Sequence, residues 1–283
     1  MKIRAYAKIN LGLRVVGKRS DGYHNIETIF HHINLFDELT LLPSPSISLS
    51  STRRDLPSDS RNLCWKAVEL LQKETRTRSG VSLHIAKSIP VGAGLGGGSS
   101  DAAAVLRNVP RLWNIAIPLK RLEDLALQLG SDVPFFLRDE SAYAAGRGEI
   151  LHYFRLTLPY WIVLVTPGID INTAWAYREL SKRKAPQGKR SSSSSASYDS
   201  DNANIDFRSL KNDFERVVIS AHPAIGEVKT TLLHNGAFFA LMSGSGSSVF
   251  GLFEQEAQAR RAAAAFKREY HVSITEPNFI PQL

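Results

Sequence analysis

Pro90-Val-Gly-Ala-Gly-Leu-Gly-Gly-Gly-Ser-Ser100 is the stretch that decides how this chain is interpreted. Five of these eleven residues are glycine, which lets a backbone adopt positive φ and approach a ligand closely. Residues 81–86 before the stretch alternate like a strand, and residues 102–106 after it are apolar like the start of a helix. A helix start offers unpaired N–H groups and the positive end of the helix dipole. This stretch, which we call the glycine loop, therefore predicts a seat for a polyphosphate, whereas a flexible linker would not be held between a strand and a helix.

Three kinds of phosphate loop compete for these glycines. Walker A, G-x-x-x-x-G-K-[ST], is excluded because no lysine precedes Ser99. The dinucleotide fingerprint G-x-G-x-x-G is matched by Gly92, Gly94 and Gly97, but residues 112–117 lack the acid expected about twenty residues further on. The third kind is the P-x-G-x-G-L-G-[GS]-S-S loop of the GHMP kinases, which residues 90–100 resemble almost residue for residue.

The composition is ordinary for a soluble globular protein, with 43% hydrophobic and 22% charged residues in a chain of 283. The length is sufficient for two domains. No apolar run reaches eighteen residues, so we expect no membrane-spanning helix and no membrane partner. The single cysteine, Cys64, excludes an internal disulfide and a cysteine-rich metal site, and it fits a cytoplasmic location.

The net charge of +8 is compatible with nucleic-acid binding or with small anionic substrates. Much of the excess lies at residues 182–184 and 189–190, beside a run of serines. Aromatic residues are not interleaved with these basic residues, as they would be on a platform that stacks single-stranded bases. We therefore expect no nucleic-acid partner.

The periodicity of the chain predicts an α+β protein with a seam near residues 155–160. Domain boundaries are expected at 1–157 and 158–283, with a serine-rich, disordered insertion at 185–204 in the second domain. Strands are predicted at 3–16, 27–33, 38–42, 81–86, 141–145, 149–154, 161–165, 237–241, 247–253 and 271–275. Helices are predicted at 63–71, 99–109, 119–129, 172–184, 208–220, 224–234 and 255–269.

Lys8 and Asn10 lie two residues apart on the first predicted strand and so share one face of it. Residues on the other face are apolar. A lysine in such a strand is often an edge residue with its amine in water, and this alternative stays open on the pattern alone. Beside a phosphoryl group, the same lysine would stabilise developing negative charge.

Asp132 stands in the stretch Gly130-Ser-Asp-Val-Pro-Phe-Phe136. It could be an N-cap or turn residue, since aspartate is common there. Against this, Pro134 biases Val133 towards an extended backbone. The neighbouring residues are apolar, so the carboxylate needs a partner, and Lys8 is the candidate. An aspartate placed against a substrate hydroxyl can act as the base in phosphoryl transfer.

Two further segments are candidates for ligand contact. Residues 243–248, Ser-Gly-Ser-Gly-Ser-Ser, predict a tight turn that would also let a second backbone approach the phosphates. Tyr23 and His24 follow a turn at Asp21-Gly22 and are either an ordinary aromatic pair or a surface on which a base stacks. No spacing typical of a metal site is present, because His31 and His32 are adjacent and face opposite ways on a strand.

Six motifs, in order along the chain, resemble those of a known family. They are A-K-I-N-L-x-L (7–13), D-G-Y-H (21–24), R-N-L (61–63), the glycine loop with D-A-A (90–103), G-S-D-V-P-F-F (130–136) and G-x-G-E-I-L (146–151). With the 243–248 segment they are similar to the GHMP kinase superfamily, and within it to the family of 4-diphosphocytidyl-2-C-methyl-D-erythritol kinases. The resemblance implies a two-domain α+β fold, with an N-terminal ATP-binding domain like ribosomal S5 domain 2 and a C-terminal, substrate-binding, ferredoxin-like sandwich.

The resemblance also implies a reaction and its residues. ATP, with Mg²⁺, would phosphorylate the 2-hydroxyl of the methylerythritol moiety in non-mevalonate isoprenoid synthesis, with Lys8 and Asp132 as the catalytic residues. The residues expected to bind ATP are Asn62, Pro90, Gly92, Gly94, Leu95, Gly96, Gly97, Gly98, Ser99 and Ser100. Those expected to bind the cytidylyl substrate are Asn10, Tyr23, His24, Tyr177 (with Trp175 as the alternative), Ser243 and Gly244. No protein metal site is expected, and the chain is expected to be a monomer or a weak homodimer.

Two other functions stay open on the sequence. The chain could be another kinase of the superfamily, acting on homoserine, mevalonate or galactose. It could also be an RNA-binding module, because its first half could share a fold with ribosomal RNA-binding domains. The second alternative leaves the glycine loop and Asp132 unexplained.

Overall fold

The computed structural model describes residues 1–182 and 205–283. The predicted insertion at 185–204 and the end of the helix predicted at 172–184 lie outside the described residues. In the described part, two sheets pack face to face and each carries helices on its outer face, which gives four layers. The predicted α+β class is confirmed.

The first sheet has six strands in the order β3-β4-β2-β5-β6, with β1 paired to β2. Only the β3–β4 pair is parallel. The strands are β1 (Lys2–Lys18), β2 (His24–Ser44), β3 (Ser48–Ser51), β4 (Gly80–Ala86), β5 (Ser141–Ala145) and β6 (Ile150–Phe154). The helices of this half are α1 (Leu63–Thr75), α2 (Gly97–Leu112) and α3 (Leu119–Leu129), and their apolar residues form one core with the outer face of the sheet.

The second sheet is antiparallel, with the order β10-β7-β9-β8. Its strands are β7 (Trp161–Thr166), β8 (Phe239–Met242), β9 (Val249–Phe253) and β10 (His271–Thr275). The helices are α4 (Thr173–Lys182), α5 (Glu215–Ala221), α6 (Pro223–His234) and α7 (Glu256–Ala264). A strand, helices, two strands, a helix and a strand follow one another, which is the β-α-β-β-α-β order of the predicted ferredoxin-like sandwich.

Alternating residues of β7 contribute to two different hydrophobic cores, one on each face of the second sheet. Val163 and Val165 of β7 pack against the helices, whereas Ile162 and Leu164 face the other way, towards the first sheet. There they join a core that includes the apolar face of β1. Lys8 and Asn10 therefore lie on the opposite face of β1, as the sequence pattern predicts.

The strands predicted at 27–33 and 38–42 are wrong as separate elements, because β2 runs without a break from His24 to Ser44. Tyr6 pairs with Phe36 while Lys8 pairs with His32, so β2 carries two extra residues in a bulge opposite β1. The bulge interrupts the alternation of side chains along β2. This interruption explains why the sequence pattern predicts two separate strands.

Two predicted helices are shorter in the structure. The helix predicted at 208–220 begins only at Glu215, because residues 207–209 form a separate 3-10 turn and the side chain of Asn212 accepts a hydrogen bond from the Phe214 amide. The helix predicted at 255–269 ends at Ala264. None of the helices in the described ranges is long and apolar enough to span a bilayer.

A buried ionic cluster anchors both ends of the glycine loop. Asp37 of β2 is completely buried and accepts hydrogen bonds from the amides of Ser88 (2.6 Å) and Ile89 (2.8 Å) and from Lys87. Lys87 also donates to Asp101 in the first part of α2, at 2.7 Å. Burial raises the pKa of Asp101, against the lowering effect of Lys87. The cluster therefore ties β2 to the chain on each side of the loop.

We expect Asp37→Ala to lower the free energy of unfolding by about 3–5 kcal/mol, because it leaves the buried Lys87 ammonium and the buried Ile89 amide short of a partner. The neighbouring Glu38 pairs with Lys2 at 3.2 Å, but 71% of the Lys2 side chain is exposed. Glu38→Ala is thus the matched control, with an expected loss below about 1 kcal/mol. Urea denaturation measures both losses, and equal losses would contradict the anchoring role of the cluster.

Candidate active site

A cavity of about 1280 Å³ lies along the glycine loop. Residues of both halves of the chain line it. The predicted site residues among them are Lys8, Asn10, Tyr23, His24, Asn62, Pro90, Gly92, Gly94, Leu95, Gly96, Gly97, Gly98, Ser99, Asp132, Tyr177 and Gly244. Two predicted residues, Ser100 and Ser243, are buried beside the cavity and do not line it.

The glycine loop uses the backbone freedom of its glycines. Gly92, Gly94 and Gly96 have φ of +68°, +78° and +71°. Helix α2 begins at Gly97, two residues earlier than predicted, and its first intrahelical bond runs from the amide of Ser100 to Gly96. The amides just before Ser100 therefore precede the hydrogen-bonded ladder of the helix. They form the kind of helix N-terminus that binds phosphate.

The 243–248 turn packs against the glycine loop. The Ser243 hydroxyl donates to the carbonyl of Gly94 (3.0 Å) and accepts from the amide of Asn10 (3.1 Å). The amide of Ser248 donates to the carbonyl of Ala93 at 3.3 Å. A Cβ on Gly94 would lie 2.2 Å from the Ser243 carbonyl oxygen, so only glycine permits this approach. A second backbone does reach the glycine loop, and Ser243 supports the loop from behind.

Lys8 is a buried ammonium that faces the cavity. Its Nζ donates to Asn10 Oδ1 (2.6 Å) and to the carbonyl of Gly94 (3.2 Å), and it lies 4.8 Å from the centre of the Phe30 ring. Only 5% of its side chain is exposed, so it is not the edge residue with a solvated amine that the strand pattern allowed. Burial lowers the pKa of Lys8, and the nearby carboxylate of Asp132 opposes that effect.

Asp132 is the predicted partner of Lys8, with Oδ2 3.8 Å from its Nζ. About a third of the Asp132 side chain is exposed, on the cavity side. Gly148, in the turn between β5 and β6, packs beside the carboxylate, where an added Cβ would lie 3.4 Å from Oδ1. The carboxylate is thus held near the ammonium but remains open to a ligand.

The extended backbone predicted for Val133 is wrong. Val133 has φ −63° and ψ −42°, and its amide donates to the Gly130 carbonyl in a turn that leads into the 3-10 helix Pro134–Leu137. Complete burial of the Val133 side chain and this turn bond offset the usual bias before proline. No side chain caps the 3-10 helix, so Asp132 is not its N-cap.

Aromatic residues line part of the cavity. The rings of His24 and Tyr177 stack with centroids 4.7 Å apart and planes inclined by 15°. Burial, with a smaller contribution from Asp132, raises the pKa of Tyr177 to about 12. Trp175, the alternative to Tyr177, does not line the cavity and contacts His222 instead. Of the two, only Tyr177 lines the cavity.

Asn62 also lines the cavity, and its side chain is already engaged in hydrogen bonds. Its Oδ1 accepts from the Cys64 amide and caps α1, and its Nδ2 donates to the Pro57 carbonyl, both at 2.9 Å. The residue therefore shapes the wall at the start of α1.

Sequence reasoning missed several residues of this site. Basic side chains at the cavity include Lys18, Arg61, Arg147 and Arg178, which lie outside the basic residues at 182–184 and 189–190 that account for much of the excess charge. Arg147 lies over the ring of Tyr23, 5.1 Å from its centre. Asn212, which is buried and does not line the cavity, was missed as well, because it stands in the mixed stretch Lys211-Asn-Asp-Phe-Glu-Arg216 that carries no local signal.

Comparisons with known proteins agree with this geometry. The model of the GHMP kinases N terminal domain matches residues 62–140, and that of the GHMP kinases C terminal domain matches residues 199–272. A curated protein of Prosthecochloris aestuarii, named 4-diphosphocytidyl-2-C-methyl-D-erythritol kinase, is 47% identical over 99% of this chain and 98% of its own length. A protein of the same name from Chlorobium phaeobacteroides is 45% identical over 100% of this chain and 99% of its own.

Solved structures agree as well. A crystal structure of 4-(cytidine 5'-diphospho)-2C-methyl-D-erythritol kinase matches with a TM-score of 0.78 and 35% identity, over 97% of this chain and 98% of the other. A homoserine kinase from Cytophaga hutchinsonii matches with a TM-score of 0.73 over 98% of this chain and 95% of its own, but at 20% identity it shows the shared fold alone. On these similarities over nearly its whole length, the chain belongs to the 4-diphosphocytidyl-2-C-methyl-D-erythritol kinase family of the GHMP kinases.

Proposed function

We propose that this protein is an ATP-dependent kinase that phosphorylates the 2-hydroxyl of 4-diphosphocytidyl-2-C-methyl-D-erythritol in non-mevalonate isoprenoid synthesis. The observation that carries the proposal is the meeting of Lys8 and Asp132 in one cavity with the glycine loop. The two residues are far apart in the chain. In the cavity, both would face the terminal phosphate of a nucleotide held by the glycine loop. The names of the full-length relatives supply the identity of the acceptor.

The proposed mechanism is direct in-line transfer from ATP to the hydroxyl. The glycine loop and the N-terminus of α2 hold the β- and γ-phosphates through backbone amides. Asp132 orients the acceptor hydroxyl and accepts its proton as the oxygen attacks phosphorus. Lys8, fixed by Asn10 and the Gly94 carbonyl, stabilises the negative charge that spreads over the transferring group. Positioning and electrostatics thus supply most of the rate enhancement.

Magnesium fits this site as a companion of the nucleotide. Among the described residues, no group of three or more His, Cys, Asp and Glu side chains is placed to hold a metal ion. Mg²⁺ is commonly bound through substrate phosphates with few protein ligands, and when bound it neutralises phosphate charge. Ser99 and Asp132, which both line the cavity, would be the residues that hold the ion together with the phosphates.

The cytidine end of the acceptor is proposed to bind at Tyr23, His24 and Tyr177. A flat base can replace the ring that His24 now places against Tyr177, because the two rings are stacked rather than bonded. The basic residues near this end, such as Arg147, favour an acceptor with a diphosphate. Residues 1–157 would thus bind ATP, and residues 158–283 would complete the substrate site.

The test of the proposed function is a coupled assay of ADP release with purified protein. The cytidylyl substrate should support turnover, while homoserine, mevalonate and galactose should support little. Preference for any of those three would overturn the proposed acceptor and leave the kinase assignment in place. If none of the four acceptors supported ADP release, the proposal as a whole would be contradicted.

We expect Asp132→Asn to reduce kcat by about 10²–10⁴-fold, because the amide cannot accept the hydroxyl proton. The fold should be retained, because Asn10 Oδ1 and the Gly94 carbonyl still accept hydrogen bonds from the Lys8 ammonium. Asp139→Asn is the matched control, because Asp139 is an exposed aspartate in the following loop and does not line the cavity. Steady-state kinetics at saturating substrates measure the effect. A wild-type kcat for Asp132→Asn would remove this carboxylate from the mechanism.

Tyr177→Ala should raise the KM for the cytidylyl substrate by about 5–150-fold, on the basis of a stacking energy of roughly 1–3 kcal/mol per base. The KM for ATP should change little, because the ring of Tyr177 contacts His24 and Phe214 and belongs to the proposed cytidine end of the cavity. Trp175→Ala, two residues earlier on α4 but outside the cavity, should alter neither KM. If Trp175→Ala raised the KM for the cytidylyl substrate and Tyr177→Ala did not, the assignment of the stacking residue would be reversed.

A further inference from the structure

Residues 212–215, Asn-Asp-Phe-Glu, tie three parts of the site together. Asp213 accepts a hydrogen bond from the Val15 amide on β1 at 2.7 Å. The ring of Phe214 packs edge-on against Tyr177, with centroids 4.8 Å apart. Glu215 accepts from the Met242 amide at 2.9 Å and pairs with Lys229. This segment therefore contacts β1, α4 and the start of the 243–248 turn.

Asn212 makes direct hydrogen bonds to the carbonyls at the start of the 243–248 turn. Its Nδ2 donates to the carbonyls of Met242 (2.7 Å) and Gly244 (2.8 Å), and its Oδ1 accepts from the Phe214 amide (2.9 Å). The residue is 5% exposed, so these bonds are shielded from water. An amide is required here, because only an uncharged side chain with two N–H donors and an acceptor satisfies all three partners.

The other side of Gly244 faces the catalytic machinery. Gly244 has φ +57°, and a Cβ added to it would lie 3.2 Å from the Gly94 backbone and 3.4 Å from Asn10 Oδ1. That oxygen is the one that accepts from Lys8 Nζ at 2.6 Å. A chain of direct contacts thus runs from Asn212 through the 243–248 turn to the glycine loop and to Lys8, beside Asp132.

We propose that Asn212 is a positioning residue for phosphoryl transfer: its amide fixes the 243–248 turn against Gly94 and Asn10 and thereby sets where the Lys8 ammonium stands relative to Asp132 and the bound phosphates. Glu215 holds the Met242 amide independently of Asn212, so the turn stays attached when the amide is lost. What changes is the placement of Gly244. The effect should therefore fall on catalysis more than on folding.

The test compares Asn212→Ala and Asn212→Asp with Asn235→Ala. Asn235 is the matched control, because its half-buried amide also donates to a backbone carbonyl, that of Thr231 at 2.8 Å, but at the end of α6 away from the cavity. Measurements are kcat, both KM values, the pH dependence of kcat and the affinity for ADP by calorimetry. All are made well below the melting temperature of each variant, so that differences in stability do not enter.

Asn212→Ala should lower kcat by about 10–100-fold, the size expected when reacting groups are displaced by up to 1 Å, with KM values changed less than kcat. Asn235→Ala should keep the wild-type kcat. In Asn212→Asp the new carboxyl faces two carbonyl oxygens, which favours its protonated form. At low pH the protonated carboxyl can donate one of the two hydrogen bonds that the Asn212 amide donated, to Met242 or Gly244. At high pH the ionised carboxylate can donate neither. The ratio of its kcat to that of the wild type should fall as pH rises, whereas the ratio for Asn212→Ala should stay flat.

The kinetic readout of this inference rests on the proposed function. The affinity for ADP distinguishes a failure of the inference from a failure of the proposed function. Because the 243–248 turn supports Gly94, Asn212→Ala should weaken ADP binding by at least about threefold relative to Asn235→Ala. If the wild type does not phosphorylate the cytidylyl substrate but this weakening is found, the proposed acceptor falls and the role of Asn212 stands. If Asn212→Ala does not fold, Asn212→Asp, which keeps the bond from Phe214, provides the same readouts. Wild-type kcat, pH ratio and ADP affinity in the Asn212 variants would overturn the inference.

Discussion

The site is organised around a buried ammonium ion. A charge taken out of water is costly unless partners compensate it, and Lys8 meets this requirement with Asn10, the Gly94 carbonyl, the face of Phe30 and Asp132. Each partner comes from a different part of the fold. Their convergence therefore requires that β1, the glycine loop and the loop before Pro134 be held in register, and the rest of the structure serves that requirement.

Three arrangements maintain the register. The Asp37–Lys87–Asp101 cluster fixes the two ends of the glycine loop to the first sheet. The 243–248 turn presses on the middle of the loop, at a distance that only glycine allows. The apolar face of β1 packs against the second sheet, which leaves its polar face, with Lys8 and Asn10, directed at the cavity. Phosphoryl transfer depends mainly on the position of the reacting groups and on charge, so in the proposed mechanism rigid support of this kind would contribute directly to catalysis.

The sequence predicted those features that depend on local pattern. Glycine spacing identified the loop, alternation placed Lys8 and Asn10 on one face, and the hairpin of β5 and β6 followed from its turn. The sequence did not predict the features that depend on partners distant along the chain. The bulge in β2 is set by pairing with β1, and Val133 is helical because of its burial. Asn212 acquires its role from carbonyls about thirty residues away along the chain, at Met242 and Gly244, which no local periodicity records.

The central claim is that Lys8 and Asp132 stand at the point of phosphoryl transfer. A crystal structure with a non-hydrolysable ATP analogue and the cytidylyl substrate measures this directly. The account predicts the acceptor hydroxyl within about 3 Å of the Asp132 carboxylate and in line with the γ-phosphorus, with the phosphates on the glycine loop. An acceptor hydroxyl bound beyond the reach of Asp132, or phosphates held elsewhere in the cavity, would contradict it.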